Sequence, residues 1–206
     1  MLLAIDTSAG TSVAVVDHEL GILAQADEAD TRRHAEVIGT LIQRVLAEAA
    51  VAPGDLSGVV AGMGPGPFTG LRVGIAAARA FAFGIGRPVV PLISHDALAL
   101  DASEPLLVVT DARRREVAWS SYSGSDELGM PIRLAGPALA SPAELEATVE
   151  GYAGFRRLDA ATIPAGPLGM LGERLFAAGR PFGPSEPLYL RPADVTPSAG
   201  PKRVTA

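Results

Sequence analysis

Gly64-Pro65-Gly66-Pro67-Phe68-Thr69-Gly70-Leu71-Arg72 joins an apolar run, Gly58 to Met63, to a second run, Leu71 to Phe83, almost without polar residues. The first run reads as a strand and the second as a helix, so the residues between them read as a strand-to-helix turn of an α/β fold. Glycines at 64, 66 and 70 let the backbone turn tightly and approach a ligand or another chain. The two common phosphate loops do not match. A Walker loop needs Lys-Ser/Thr after its last glycine, and Leu71-Arg72 stands there. A dinucleotide fingerprint wants Gly-x-Gly-x-x-Gly and an acidic residue about 20 positions later. Here the spacing is Gly-x-Gly-x-x-x-Gly, with nothing acidic before Asp96.

Composition narrows the chemistry. The 206 residues are 48% hydrophobic and 19% charged, enough core for one large domain or two small ones. No apolar run reaches the roughly 18 residues that span a bilayer, and Asp6 comes too early for a signal peptide; a soluble, cytoplasmic chain is expected. With no cysteine there is no disulfide, thiolate nucleophile or Cys-type zinc site. Lys202 is the one lysine, and arginine is too basic for proton transfer. His18, His34 and His95 are far apart, and neither His-Glu-x-x-His nor Gly-x-Ser-x-Gly occurs. A net charge of −6 argues against independent grip on nucleic acid. Arg32-Arg33 and Arg113-Arg114-Arg115 are local exceptions, read as solvated turns.

Working outward from the glycine turn, Leu2–Ile5 and Thr11–Val16 read as a hairpin, with a third strand over Gly21–Ala26. A helix is expected over Arg33–Ala50, stopped by Pro53-Gly54, then a strand over Gly58–Met63 and a helix over Gly70–Phe83. Val89–Leu92 reads as a short buried strand, and Ser94 as the cap of a short helix. The opening motif then returns: Leu106–Asp111, a turn, and Glu116–Trp119 echo the first hairpin, each first strand ending in an aspartate. This points to duplicated ribonuclease-H-like half-domains, the α/β architecture of actin, Hsp70 and sugar kinases (ASKHA), with halves at 1–102 and 103–192. Further helices are expected over 141–149 and 168–178, and a flexible tail over 193–206.

As a string, GPGPFTGLRVG resembles the signature of the TsaB (YeaZ) family. LAIDTS at 3–8, RRHAE at 32–36, TDARRREV at 110–117 and PLYLRPADV at 187–195 resemble the same family, in the same order. Pro67 departs from the pattern, standing where the family has serine. The resemblance implies the ASKHA fold and a non-catalytic subunit of the bacterial machinery that adds threonylcarbamoyl to N6 of adenosine 37 in tRNA. It implies a catalytic partner, TsaD, met through the two N-terminal-half helices, and the ATPase TsaE. It further implies a homodimer when alone, tRNA reached only through the complex, and no membrane. ATP or ADP would lie at the shared interface, with no tightly bound cofactor. Two other classes stay open, an actin-fold ATPase or phosphotransferase and a glycoprotease-like peptidase.

Three groups of residues follow. Asp6, Thr7, Ser8, Gly64 and Gly66 are candidates for holding nucleotide, against the alternative that Asp6 and the hydroxyls cap their own turn. In TsaD the segment after the glycine-loop helix carries a metal-binding His-x-x-x-His. Here His95 is followed four positions on by Ala99, so no metal site and no catalytic residue are expected. The third group is an interface. The apolar arc of the first helix spans roughly 220°, wider than one buried face needs. Gly70, Gly74, Ala78, Ala82 and Gly86 form an i, i+4 row that would admit another helix. Candidate partner-facing residues are His34, Val37, Ile38, Leu41, Phe68, Gly70, Arg72, Gly74, Ala78 and Arg79, with burial within the domain as the alternative.

Overall fold

In the computed structural model, which describes residues 1–191, β1 (Leu2–Asp6) is buried along its whole length. A strand of Leu-Leu-Ala-Ile with no exposed face belongs at the centre of a sheet covered on both sides. It lies there, in the order β3-β2-β1-β4-β5. β2 (Thr11–Asp17) and β3 (Gly21–Glu28) continue antiparallel from it, and β4 (Gly58–Gly62) and β5 (Val89–Leu92) pair parallel on its other side.

Side chains alternate across this sheet. Leu3, Ile5, Val13, Val15, Val59 and Ala61 meet α1 (His34–Glu48) and α2 (Phe68–Ile85) on one face. Leu2, Ala4, Ala14, Val16 and Val60 meet α4 (Ala165–Ala177) on the other. That helix lies close because Gly169 has no side chain: a Cβ there would sit 2.8 Å from Val16 Cγ2.

The second sheet has the order β8-β7-β6-β9. β6 (Leu106–Asp111) again starts an antiparallel meander through β7 (Val117–Ser125) and β8 (Pro131–Ala140), and again pairs in parallel with a later strand, β9 (Arg156–Ala160). The ribonuclease-H-like motif is therefore present twice, the second copy one strand shorter. The expected helix over 141–149 is a single turn, α3 (Leu145–Thr148). Instead of a capped α-helix after Ser94 there is a 3-10 helix, Ser94–Ala99, with no side-chain cap. The tail expected over 193–206 lies outside the described residues.

α2 is long and apolar enough to cross a membrane by length and composition, with mean hydropathy 1.3. Here it lies on the first sheet, and it carries Arg72 and Arg79 on its outer side. After α4 the chain returns as a strap along the first half. Gly183 N–H donates to the Pro91 carbonyl, and Leu188 N–H to that of Met63.

Candidate functional site

The residues expected to hold nucleotide are built into the interior. Asp6, Thr7 and Ser8 are buried. Asp6 Oδ1 accepts from the Ser8 N–H at 2.8 Å and from the Ser8 hydroxyl, so the aspartate caps its own turn. Burial raises the Asp6 pKa, against the hydrogen bonds from Ser8 and Ser94. Thr7 Oγ1 donates to the Gly70 carbonyl at 2.7 Å and accepts from the Gly74 N–H at 3.1 Å. Gly66 presses on the same turn, where a Cβ would lie 2.7 Å from Ser8 Cα. Gly64 is buried beneath the strap, 3.2 Å from its Cβ position to the Leu188 carbonyl oxygen. A phosphate at Asp6, Thr7 and Ser8 does not fit this arrangement, because the glycine loop fills the space it would need.

His95 is fully enclosed. Its Nδ1 lies 2.8 Å from Ser120 Oγ and its Nε2 2.9 Å from Thr110 Oγ1, which engages both ring nitrogens. Burial, with Arg133 adding to it, lowers its pKa to about 3. Next to it Asp96 accepts from Arg133 Nη2 at 2.9 Å and from the Tyr122 hydroxyl at 2.8 Å. Burial pushes the Asp96 carboxyl up while Arg133 and Tyr122 pull it back, and burial raises the Tyr122 hydroxyl well above its ordinary value. Among the described residues no group of three His, Asp or Glu side chains could hold a metal ion.

The expected interface separates into two sets. Ile38, Leu41, Gly70, Gly74 and Ala78 are buried in their own chain's core. The small-residue row on α2 admits the chain's own hairpin and α1: Cβ atoms at Gly70 and Gly74 would meet Thr7 and His34. Burial within the domain accounts for Gly70, Gly74, Ala78 and Ala82, while Gly86 is exposed and ends the helix in a left-handed conformation. His34 is buried too, its Nδ1 2.8 Å from Thr11 Oγ1, and burial, then Arg113, lowers its pKa. Val37 is half-buried against the same core.

The outward face of α2 is one step round the helix. Arg72, Ala76, Arg79, Ala80, Phe83 and Gly84 are exposed, and Phe83 is 90% exposed. This face contains no acidic residue. Its two arginines are held by the strap. Arg72 Nε donates to the Tyr189 hydroxyl at 3.1 Å, and its guanidinium lies 3.8 Å above the Phe68 ring. Arg79 Nη2 donates to the Ser185 carbonyl at 2.8 Å.

Beside the strap a cleft of about 350 Å³ opens between the glycine loop, the turn after β6 and residues 189–191. Pro67, Phe68, Leu139, Tyr189 and Leu190 give it apolar walls, and Arg113, Arg114 and Arg191 a basic edge. The Phe68 and Tyr189 rings lie 4.8 Å apart. Arg191 donates to the Ala112 and Arg113 carbonyls and pairs with Glu116. Of the residues in this cleft, only Gly66 and Phe68 are among the candidates read from the sequence. Arg113, Arg114 and Arg191 lie in family-like strings, but nothing in a string says that they converge.

The family model described as TsaD: tRNA N6-adenosine threonylcarbamoyltransferase matches residues 21–165. YeaZ from Pseudomonas aeruginosa superimposes with a TM-score of 0.74 at 29% identity, over 92% of this chain and 99% of that one. The tRNA threonylcarbamoyladenosine biosynthesis protein TsaB of Haemophilus influenzae is 35% identical over 125 residues, 58% of this chain and 52% of the relative. The chain belongs to the TsaB (YeaZ) family. An uncharacterized protein of Mycobacterium tuberculosis is 39% identical over 205 residues, 96% of this chain and 95% of that protein. The TsaB-like motifs map onto contacts described above: LAIDTS supplies β1 and its self-capped turn, GPGPFTGLR the loop pressed on that turn, and PLYLR the strap.

Proposed function

We propose that this chain is a non-catalytic subunit of the enzyme that adds threonylcarbamoyl to N6 of adenosine 37 in tRNA, supporting a TsaD-type catalytic subunit in the cytoplasm. Its membership of the TsaB family supports a place in that modification. The observation that carries the subunit role is Phe83, a large ring almost wholly exposed on a helix face of alanines and glycine. Apolar surface concentrated in this way marks a partner site. A helix of the partner packed against Ala76, Ala80 and Gly84 would take Phe83 as its anchor, with Arg72 and Arg79 at the rim. A second copy of the chain would use the same face when the partner is missing.

The burial of Asp6, Thr7 and Ser8 gives a phosphotransferase no open phosphate turn. A peptidase gains nothing from His95, whose ring nitrogens are engaged. The subunit reading expects no threonylcarbamoyladenosine from this chain alone. The chain should be required when TsaD, TsaE, tRNA and threonylcarbamoyl-adenylate are combined. Modification that proceeds equally well without it would contradict the proposal.

A further inference from the structure

We propose that the strap is a displaceable clasp: an acidic partner helix seated on the outward face of α2 takes Arg72 and Arg79 from Tyr189 and Ser185, and so loosens the strap over the glycine loop. The inference rests on the partner reading of the Phe83 face. It adds to that reading the charge of the partner and a response of this chain to docking.

The charge follows from what the two arginines touch. Residues 68–87 contain three arginines and no acidic residue, in a chain of net charge −6. Arg72 donates to the Tyr189 hydroxyl at 3.1 Å and Arg79 to the Ser185 carbonyl at 2.8 Å, both neutral acceptors. A guanidinium forms its strongest, bidentate pairs with carboxylates. Both residues are exposed beside Phe83, so a docked helix that offers carboxylates there draws them off the strap.

The strap is lightly held. No residue from 174 to 191 is buried, and segments with little buried surface open at low free energy. One end is tied to the first sheet by the Gly183 N–H at the Pro91 carbonyl, the other to the turn after β6 by Arg191. Between these ends Arg79 holds Ser185, the Leu188 N–H donates to the Met63 carbonyl at 2.8 Å, and Tyr189 packs on Phe68 while accepting from Arg72. With the arginines withdrawn, only the Leu188 bond and the ring contact remain of these. Loosening the strap also moves a wall of the cleft, which Tyr189 and Leu190 form.

Tyr189→Phe keeps the ring and removes the hydroxyl that competes for Arg72. At a concentration where light scattering shows a monomer, this variant should bind TsaD about threefold to tenfold tighter than the native chain, because one hydrogen bond no longer has to be broken. Equal melting temperatures check that it is folded. An acidic partner predicts that Arg79→Glu binds TsaD at least about tenfold more weakly than Arg79→Gln. Hydrogen exchange read by mass spectrometry should show the Leu188 amide of the native chain exchanging about tenfold or more faster in the TsaD complex than in the free monomer. A neighbouring segment merely covered by the partner would exchange more slowly. TsaD binding to neither the native chain nor the Tyr189→Phe variant would overturn the partner reading and this inference together. TsaD binding with unaltered or slower Leu188 exchange, with Tyr189→Phe no tighter than the native chain, or with Arg79→Glu equal to Arg79→Gln, would overturn the displaceable clasp alone.

Discussion

Thr7 and Gly74 are fitted to each other without room for a side chain. The Thr7 hydroxyl accepts from the Gly74 N–H, and a Cβ on residue 74 would lie 2.1 Å from that oxygen. This contact joins the end of β1 to the middle of α2 and fixes which face of the helix is turned inward.

Gly74→Ala should therefore destabilise the chain by about 1–3 kcal/mol, the usual result of forcing volume into a packed site. Gly39→Ala, on α1 with nothing within 4 Å of the new Cβ, should be neutral or stabilising by up to about 1 kcal/mol. Urea unfolding of the two variants measures the difference.

Phe83→Glu should leave stability nearly unchanged, because the ring is already in water, and should weaken both self-association and capture of the TsaD partner. Removing an anchoring aromatic costs about 2 kcal/mol or more, a loss of roughly thirtyfold in affinity. Light scattering and a pull-down read the two effects.

Much of the first half was legible in the sequence, since β1, β2, β4 and α2 have apolar runs of the right length and period. β8 and β9 were not. Gly136-Pro137 interrupts one, and the other reads Arg-Arg-Leu-Asp-Ala, whose charges face outward at a sheet edge. The small-residue row on α2 was visible, but a row of glycines and alanines does not say which neighbour it admits. Thr7 and His34 fill it, and the open row is Ala76, Ala80 and Gly84. The cleft was hidden for a different reason. Its sides come from residues 65–69, 112–114 and 189–191, which only the folded chain brings together.

His95 makes stability depend on pH. Unfolded, its pKa is near 6.5; folded, it is about 3. Above pH 6.5 the ring is neutral in both states. As pH falls from there toward 3 the unfolded chain takes up a proton that the folded chain refuses, so stability falls by up to about 1.4 kcal/mol per pH unit. The lowered pKa of His34 acts in the same direction. His95→Gln should flatten the profile between pH 6 and pH 4, measured by denaturation midpoints across that range.

Arg133→Leu should cost about 3 kcal/mol, because it leaves the largely buried Asp96 carboxylate without its cation. Adding Asp96→Asn removes the stranded charge and should recover part of the loss. Guanidinium melts of the single and double variants give the two numbers.

The central claim is tested most directly by mass spectrometry of tRNA nucleosides from cells depleted of this chain. If it is a required subunit, threonylcarbamoyladenosine should fall in step with depletion. It should return on expression of the native chain but not of the folded Phe83→Glu variant. Normal levels of the modified adenosine after depletion, in cells with no second copy of the gene, would contradict the assignment.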